Sequence, residues 1–186
     1  MEARISIVDT TVTITQRFVA SDKHTAALNM MQSTFPTETA GGEFQIVYVV
    51  ERAGVLESVA EMFVGPSILG LNTIEGITDG EAIARDWGPN VVGRGGIRDD
   101  GSTTIVYRSR YDPYSLPELY NHEAGHGLGV QDPEHSPDRD NMMYEFVPRT
   151  GNQFTVDQLR QITNHEANNV TECSTEGQNG DTHHLI

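Results

Sequence analysis

The 186-residue chain has the length and the apolar content of one globular domain: 37% of its residues are hydrophobic, and we predict a single domain over residues 1–186 with a polar tail from about residue 171. Its 27 acidic residues outnumber the 12 basic ones and give a formal net charge of −15. This charge excludes nucleic acid and anionic membranes as partners, because both carry negative charge themselves.

The cysteine content and the N-terminal sequence indicate the cellular compartment in which the protein is expected. Cys173 is the only cysteine, so an internal disulfide is impossible and the sequence carries no mark of export into an oxidising environment. No signal peptide is visible, because residues 1–14 lack a basic start and a continuous apolar stretch, and no run of about 18 apolar residues occurs elsewhere. We therefore expect a cytoplasmic monomer for the chain as it stands, or a secreted protein if the chain is a trimmed mature form.

Three elements are predicted in the first third of the chain. The alternating stretch RISIVDTTVTI at 4–14 indicates a strand or a hairpin. A helix is predicted over 21–35, with Ser21 or Asp22 as its cap. The apolar and β-branched stretch EFQIVYVVER at 43–52 predicts a central strand.

The middle of the chain is less regular and contains four predicted elements. Short helices are indicated by VLESVAEMF at 55–63 and DGEAIARDW at 79–87. Two strands, at 90–97 and 99–110, are joined by a turn around residues 100–101. The glycines of the first of these strands are typical of an edge strand that another backbone approaches closely.

A helix over residues 115–129, SLPELYNHEAGHGLG, carries the most informative pattern of the chain. Ser115 can cap this helix, and Glu118 completes a capping box. His122 and His126 lie four residues apart and therefore on one helix face, where two imidazoles can reach one metal ion. The H-E-x-x-H arrangement thus predicts a zinc site.

Glu123 lies between the two histidines in sequence and does not have to bind the metal. Its carboxylate can take a proton from a water molecule and pass it to the leaving amine of a peptide bond, so we predict zinc-dependent peptide hydrolysis with Glu123 as general base. Three alternatives stay open at this point: a helix with two surface histidines and a solvated glutamate, a different hydrolase with the same pentapeptide, and a zinc-binding interaction module without proteolysis.

The residues after the second histidine narrow these alternatives. Gly129 follows His126 by three residues, and glycine permits the positive φ that a reversal of the chain requires. Asp132 then stands at the next ligand position, and Met142 and Met143 follow it.

The stretch HEAGHGLGVQD, followed by NMMY, resembles the metzincin metallopeptidases, whose pattern is H-E-x-x-H-x-x-G-x-x-H or D before a methionine-containing turn, the Met-turn. The resemblance implies one catalytic zinc ion. Its third ligand would be Asp132, as in snapalysin-type members, or His135, which opens a stretch similar to the one before the Met-turn of matrixin-type members. Met143, or else Met142, would be the methionine of the Met-turn. Tyr144 could donate a hydrogen bond to the oxyanion or be an ordinary packed aromatic residue.

The resemblance also implies an α+β fold, with a twisted mixed β-sheet, an active-site helix, the Met-turn and a C-terminal helix over residues 154–169. A protein or peptide substrate would lie extended along the edge strand near residues 91–95. Residues 144–154 would wall the pocket for the side chain that follows the scissile bond. Calcium, common in matrixins, could be held by carboxylates at 98–100 or 132–140, although an acidic surface explains these residues equally well.

The acidic composition and the presence of a single lysine, Lys23, also resemble proteins of salt-loving organisms, although an acidic mesophilic protein would share them. Like charges repel at low ionic strength, and salt shortens the Debye length to roughly 3 Å at 1 M. If the protein is halophilic, we expect its melting temperature to rise steeply between about 0.1 M and about 2 M KCl, as measured by thermal unfolding. A flat curve would contradict halophilic adaptation.

Overall fold

A computed structural model of the chain describes residues 3–20, 22–54, 71–98, 102–111, 117–131, 136–144 and 153–172. These residues form a mixed sheet of seven strands with four α-helices, which is compatible with the predicted α+β class. The strands are β1 (Ala3–Val8), β2 (Thr11–Val19), β3 (Gln45–Arg52), β4 (Asn72–Ile77), β5 (Gly93–Ile97), β6 (Thr103–Arg108) and β7 (Asn169–Glu172). The helices are α1 (Thr25–Thr34), α2 (Asp79–Ala84), α3 (Pro117–Gly127) and α4 (Val156–Asn164).

The sheet has β5 at one end of its strand order. That order is β5–β6–β4–β2–β1–β7, and β3 pairs with β2 outside this row. Strands β1 and β2 form an antiparallel hairpin, β5 and β6 form another antiparallel pair, and the other pairings are parallel. The predicted N-terminal hairpin and the predicted edge strand are therefore confirmed, whereas the predicted turn at 100–101 lies outside the described residues.

The prediction of a central position for the strand at 43–52 is wrong within the described residues. Among the described strands β3 pairs with β2 alone, apart from an isolated bridge between its first residue, Gln45, and Glu38. Strand β2 takes the central position because it bonds to β1, β3 and β4. Along β3, Ile46 and Tyr48 are buried but Val47 is 46% exposed. The apolar run predicts a pleated, partly buried strand, but the number of its neighbours depends on partners that are distant in sequence.

The main core joins the sheet to helices α1, α3 and α4. Its fully buried members include Phe18 of β2, Met31 of α1, Tyr120 of α3 and Leu159 of α4. Helix α3 lies against α1, β5 and β6, so neighbouring elements fix its orientation from several sides.

Helices α2, α3 and α4 confirm the three helices predicted for the later part of the chain, but α4 ends at Asn164, and Asn169, the last residue of its predicted range, begins β7. Helix α2 begins with a capping box between Thr78 and Glu81, and α4 begins with one between Thr155 and Gln158. The predicted helix at 55–63 lies outside the described residues. None of the described helices combines the length and the apolar composition needed to cross a membrane.

The start of α1 differs from its prediction. A 3-10 turn, Asp22–His24, precedes the helix, and His24 occupies the N-cap position without a side-chain capping bond. Asp22 is therefore not the cap of the α-helix, and Ser21 lies outside the described residues. The tighter turn occupies the residues before Thr25, and short 3-10 segments of this kind are common at the ends of α-helices.

The buried guanidinium of Arg108 joins α2 to the segment that leads into β5. Arg108 is 3% exposed, and it donates to the carbonyl of Val91 at 2.7 Å and to that of Gly88 at 3.0 Å. It also donates to the carboxylate of Asp79 at 2.8 Å, which accepts a further bond from Arg110 at 3.0 Å. The hydrogen bond from Arg108 is the main cause that lowers the pKa of Asp79, and the charges of both arginines add to it.

We expect Asp79→Asn to lower the melting temperature at neutral pH, because the buried Arg108 loses its charged partner. Since the folded pKa of Asp79 is lowered, its stabilisation is present above the ordinary aspartate pKa of about 3.9 and is lost as the pH falls through the folded value. Thermal unfolding should therefore show a difference between wild type and variant that shrinks on acidification.

Asp157→Asn is a matched control for this prediction. Asp157 also lies in the first turn of its helix, but its side chain is 82% exposed and pairs with Arg160 at the surface. Exposed pairs of this kind contribute little to stability. An equal pH-dependent effect of both substitutions would contradict the role assigned to Asp79.

Candidate metal centre

Helix α3 brings together the three residues of the H-E-x-x-H pattern. The ring centroids of His122 and His126 are 4.7 Å apart, with their planes at 89°. His122 and Glu123 are each 5% exposed, although both carry polar groups. The predicted helix and the proximity of its two histidines are therefore confirmed, whereas the predicted cap, Ser115, lies outside the described residues.

Backbone carbonyls determine which nitrogen of each imidazole carries the proton. The Nδ1 atom of His122 is 3.1 Å from the carbonyl oxygen of Met142, and that of His126 is 3.2 Å from the carbonyl oxygen of Val130. Because a carbonyl oxygen only accepts, each neutral ring holds its proton on Nδ1 and its lone pair on Nε2. Histidines that bind metals are oriented in this way, so the two side chains fit a zinc ion.

A turn at Gly129 places the carbonyl of Val130 next to the imidazole of His126. Gly129 has a φ of +97°, its N–H donates to the carbonyl of His126 at 3.1 Å, and the N–H of Val130 donates to that of Gly125 at 3.1 Å. These two bonds form a Schellman motif, which ends a helix and reverses the chain. The turn predicted at Gly129 is confirmed, and it places the carbonyl of Val130 within reach of His126.

The methionine pair packs directly against the middle of α3. Met142 and Met143 are both fully buried. A Cβ atom on Gly125 would lie 2.5 Å from the Sδ atom of Met143 and 3.1 Å from the Cε atom of Met142. Both methionines therefore contact the helix between its two histidines.

The two candidates for the third ligand, Asp132 and His135, lie outside the described residues. The chain is anchored on both sides of them: the N–H of Gln131 donates to the side chain of Gln161 at 3.0 Å, and Ser136 forms a β-bridge with Tyr144. Within the described ranges, no three histidine, cysteine, aspartate or glutamate side chains are grouped closely enough to hold a metal ion.

Two glycines of β5 allow this strand to touch α3. A Cβ atom on Gly93 would lie 2.8 Å from the Oε1 atom of Glu123 and 3.0 Å from the Cδ1 atom of Leu119. A Cβ atom on Gly95 would overlap the backbone of Glu123. The predicted close approach of another backbone is therefore confirmed, and the carboxylate of Glu123 faces the backbone of the edge strand.

The register of β5 shows which of its backbone groups point away from the sheet. The pair formed by Val92 and Arg108 is hydrogen-bonded, with the N–H of Arg108 donating to the carbonyl of Val92 at 3.0 Å. Bonded and non-bonded pairs alternate in an antiparallel ladder. The N–H and C=O groups of Gly93, Gly95 and Ile97 therefore point to the side of β5 opposite β6.

A cleft of about 540 Å³ lies beside this edge. Its walls connect the outer part of β5 to the end of α3 and the glycine turn, and they consist of Gly95, Gly96, Ile97, His126, Gly129, Val130 and Gln131. The cleft thus places the side chain of His126 next to a strand that could accept an additional strand.

Other predicted site residues are described only in part. The side chain of Tyr144 is half-buried, and its N–H donates to the carbonyl of Asn141 at 3.1 Å. Residues 145–152 of the predicted pocket wall lie outside the described ranges. Among the carboxylates considered for calcium, that of Asp138 accepts the N–H of Asp140 at 3.0 Å within a turn.

Sequence reasoning did not identify the carbonyl of Met142 or the side chain of Asn141 as parts of this centre. The Oδ1 atom of Asn141 accepts the N–H of Met143 at 2.8 Å. Asparagine favours such a bond to the backbone two residues later, so the position of Asn141 directly before the methionine pair was an available signal.

Comparison with known proteins gives no match to this chain: no protein-family model and no curated protein matches its sequence.

Proposed function

We propose that the protein is a zinc-dependent endopeptidase that resembles the metzincins. The observation that carries this proposal is the orientation of His122 and His126. Backbone carbonyls accept their Nδ1 protons, so both rings have the lone pair on Nε2, the atom that would bind zinc. Surface histidines of a solvated helix would not need two carbonyl partners of this kind.

Zinc held by His122, His126 and a third ligand would acidify a water molecule and polarise the carbonyl of the substrate. Glu123 then acts as general base: its carboxylate takes a proton from the water and delivers it to the amine that leaves. The side chain of Glu123 is 5% exposed and faces the backbone of β5 at Gly93, so it is shielded from bulk water and close to the expected substrate path.

The edge of β5 supports an extended peptide as substrate. The outward N–H and C=O groups of Gly93, Gly95 and Ile97 can bond to a peptide that joins the sheet as one more strand. Because Gly93 and Gly95 have no side chains, most of this recognition would come from the peptide backbone. We therefore propose unfolded or flexible segments of proteins as the substrate class.

Zinc analysis combined with a cleavage assay tests this function. We expect about one zinc ion per chain, and we expect cleavage of a peptide library that a chelator abolishes and added zinc restores. The assay should be run at low salt and at molar salt, since the acidic surface could require screening. A zinc-loaded protein that cleaves no peptide at either salt concentration would favour the interaction module over the protease.

A further inference from the structure

We propose that Asn141 and Gln158 form a positioning pair that holds His122 in its metal-binding orientation through the peptide group between Met142 and Met143. This inference rests on the proposed zinc site. Asn141 is 4% exposed and Gln158 is 7% exposed, so both amides are shielded from solvent. Buried amides need partners, and these two satisfy each other.

The two amides bond to each other reciprocally. The Nδ2 atom of Asn141 donates to the Oε1 atom of Gln158 at 2.9 Å, and the Nε2 atom of Gln158 donates to the Oδ1 atom of Asn141 at 3.1 Å. The N–H of Met143 also donates to Oδ1 of Asn141, and the N–H of Thr155 donates to Oε1 of Gln158 at 3.0 Å. A flip of either amide would place donors against donors, so the orientation of the pair is unique.

The bond from Met143 controls the carbonyl that His122 uses. The N–H of Met143 and the carbonyl of Met142 belong to one peptide group, which is planar and directs these two groups in opposite directions. On one side of this peptide group, the N–H of Met143 donates to Oδ1 of Asn141 at 2.8 Å. On the other side, the carbonyl of Met142 accepts from Nδ1 of His122 at 3.1 Å. Rotation of this peptide plane would therefore break both bonds.

Gln158 anchors this chain of hydrogen bonds to α4. It is the third helical residue of α4 and completes the capping box with Thr155, and its own N–H donates to Oγ1 of Thr155 at 3.1 Å. The hydrogen bonds thus run from the first turn of α4 through the methionine pair to α3. Hydrogen bonds aligned in such a series polarise one another. This polarisation makes the lone pair on Nε2 of His122 more basic, so that it binds a metal ion more strongly.

The test compares Asn141→Ala and Gln158→Ala with Gln16→Ala. Gln16 is fully buried in β2 and accepts a hydrogen bond from the hydroxyl of Tyr48 at 2.7 Å. Gln16→Ala therefore also removes a buried amide and its hydrogen bond, but this bond is not part of the series that leads to His122. Zinc affinity is measured by competition with a chelator. The tautomer of His122 is measured by ¹⁵N NMR on the zinc-free protein at about pH 8, where an ordinary imidazole is neutral.

We expect both variants to lose about 10- to 100-fold in zinc affinity and to show a mixture of the two His122 tautomers. Gln16→Ala should keep the wild-type affinity and a single tautomer even if its melting temperature falls equally. A single Nδ1–H tautomer and an unchanged zinc affinity in Asn141→Ala and Gln158→Ala would overturn the positioning role. The tautomer measurement needs no zinc, so a wild-type protein that binds no zinc would contradict the proposed function separately. If Asn141→Ala does not fold, Gln158→Ala alone decides, because its side chain acts through the same bonds.

Discussion

Glu123→Gln is expected to remove peptide cleavage while zinc stays in its site. Glutamine has nearly the same shape as glutamate, but its amide cannot take a proton from water at neutral pH. The loss of a general base typically lowers the turnover rate by about 100- to 10,000-fold. Because His122 and His126 keep their carbonyl partners, zinc content measured by metal analysis should equal that of the wild type.

Glu118→Gln provides the control for this substitution. Glu118 lies on the same helix, five residues before Glu123, and the same chemical change there leaves the H-E-x-x-H residues intact. We expect its cleavage rate to stay close to that of the wild type. Wild-type cleavage by Glu123→Gln would exclude Glu123 as the general base and would favour a different hydrolytic mechanism.

Asp132→Ala is expected to empty the zinc site at submicromolar free zinc, while His135→Ala keeps it filled. The spacing supports this expectation, because Asp132 follows His126 by six residues with Gly129 midway, as the third ligand does in the metzincin pattern. Carboxylates bind zinc at about 2.0 to 2.2 Å and serve in several catalytic sites. Loss of a direct ligand should therefore weaken binding by more than the roughly 10- to 100-fold cost of losing a supporting partner.

Two features of the described residues bear on whether Asp132 or His135 is the third zinc ligand. The glycine turn at Gly129 reverses the chain next to His126, which favours a ligand soon after the turn. Gln131 is held by Gln161, so the backbone directly before Asp132 is anchored. Zinc titration of both variants decides the question: the reverse pattern, with His135→Ala empty and Asp132→Ala filled, would assign the third ligand to His135.

The features that sequence predicted well depend on local rules. The shared face of His122 and His126 follows from helical periodicity, and the turn at Gly129 follows from the conformational freedom of glycine. The close approach of another backbone to β5 was predicted because glycines in an edge strand leave room for it, although the pattern did not say that this backbone belongs to α3. Each of these inferences required only residues that are close together in the sequence.

The features that sequence did not predict depend on partners distant in the chain. The pairing of β3 with β2 alone is decided by which strands meet across the sheet, and an apolar run does not specify this. The bond between Asn141 and Gln158 joins residues 17 positions apart, and neither residue type identifies its partner. The 3-10 turn before α1 escaped prediction because Asp22 is also a good cap for an α-helix.

Within the described part of the chain β5 pairs only with β6, and the outward edge of β5 bears on how the protein behaves in solution. A strand edge that can receive a substrate can also receive the same edge of a second molecule, which is a common route to aggregation. Strand β5 has only five residues, and three of them are glycines: Gly93, Gly95 and Gly96. Short strands rich in glycine pair weakly, because ordering their backbone costs more entropy and they offer few side chains to pack.

The surface charge also opposes the pairing of two β5 edges at low salt, since two chains of net charge −15 repel each other. Molar salt screens this repulsion over roughly 3 Å, so it would no longer keep two edges apart. Under those conditions the weak pairing of the glycine strand becomes the main barrier to self-association. The glycines that make room for Glu123 therefore also weaken the pairing of two such strand edges.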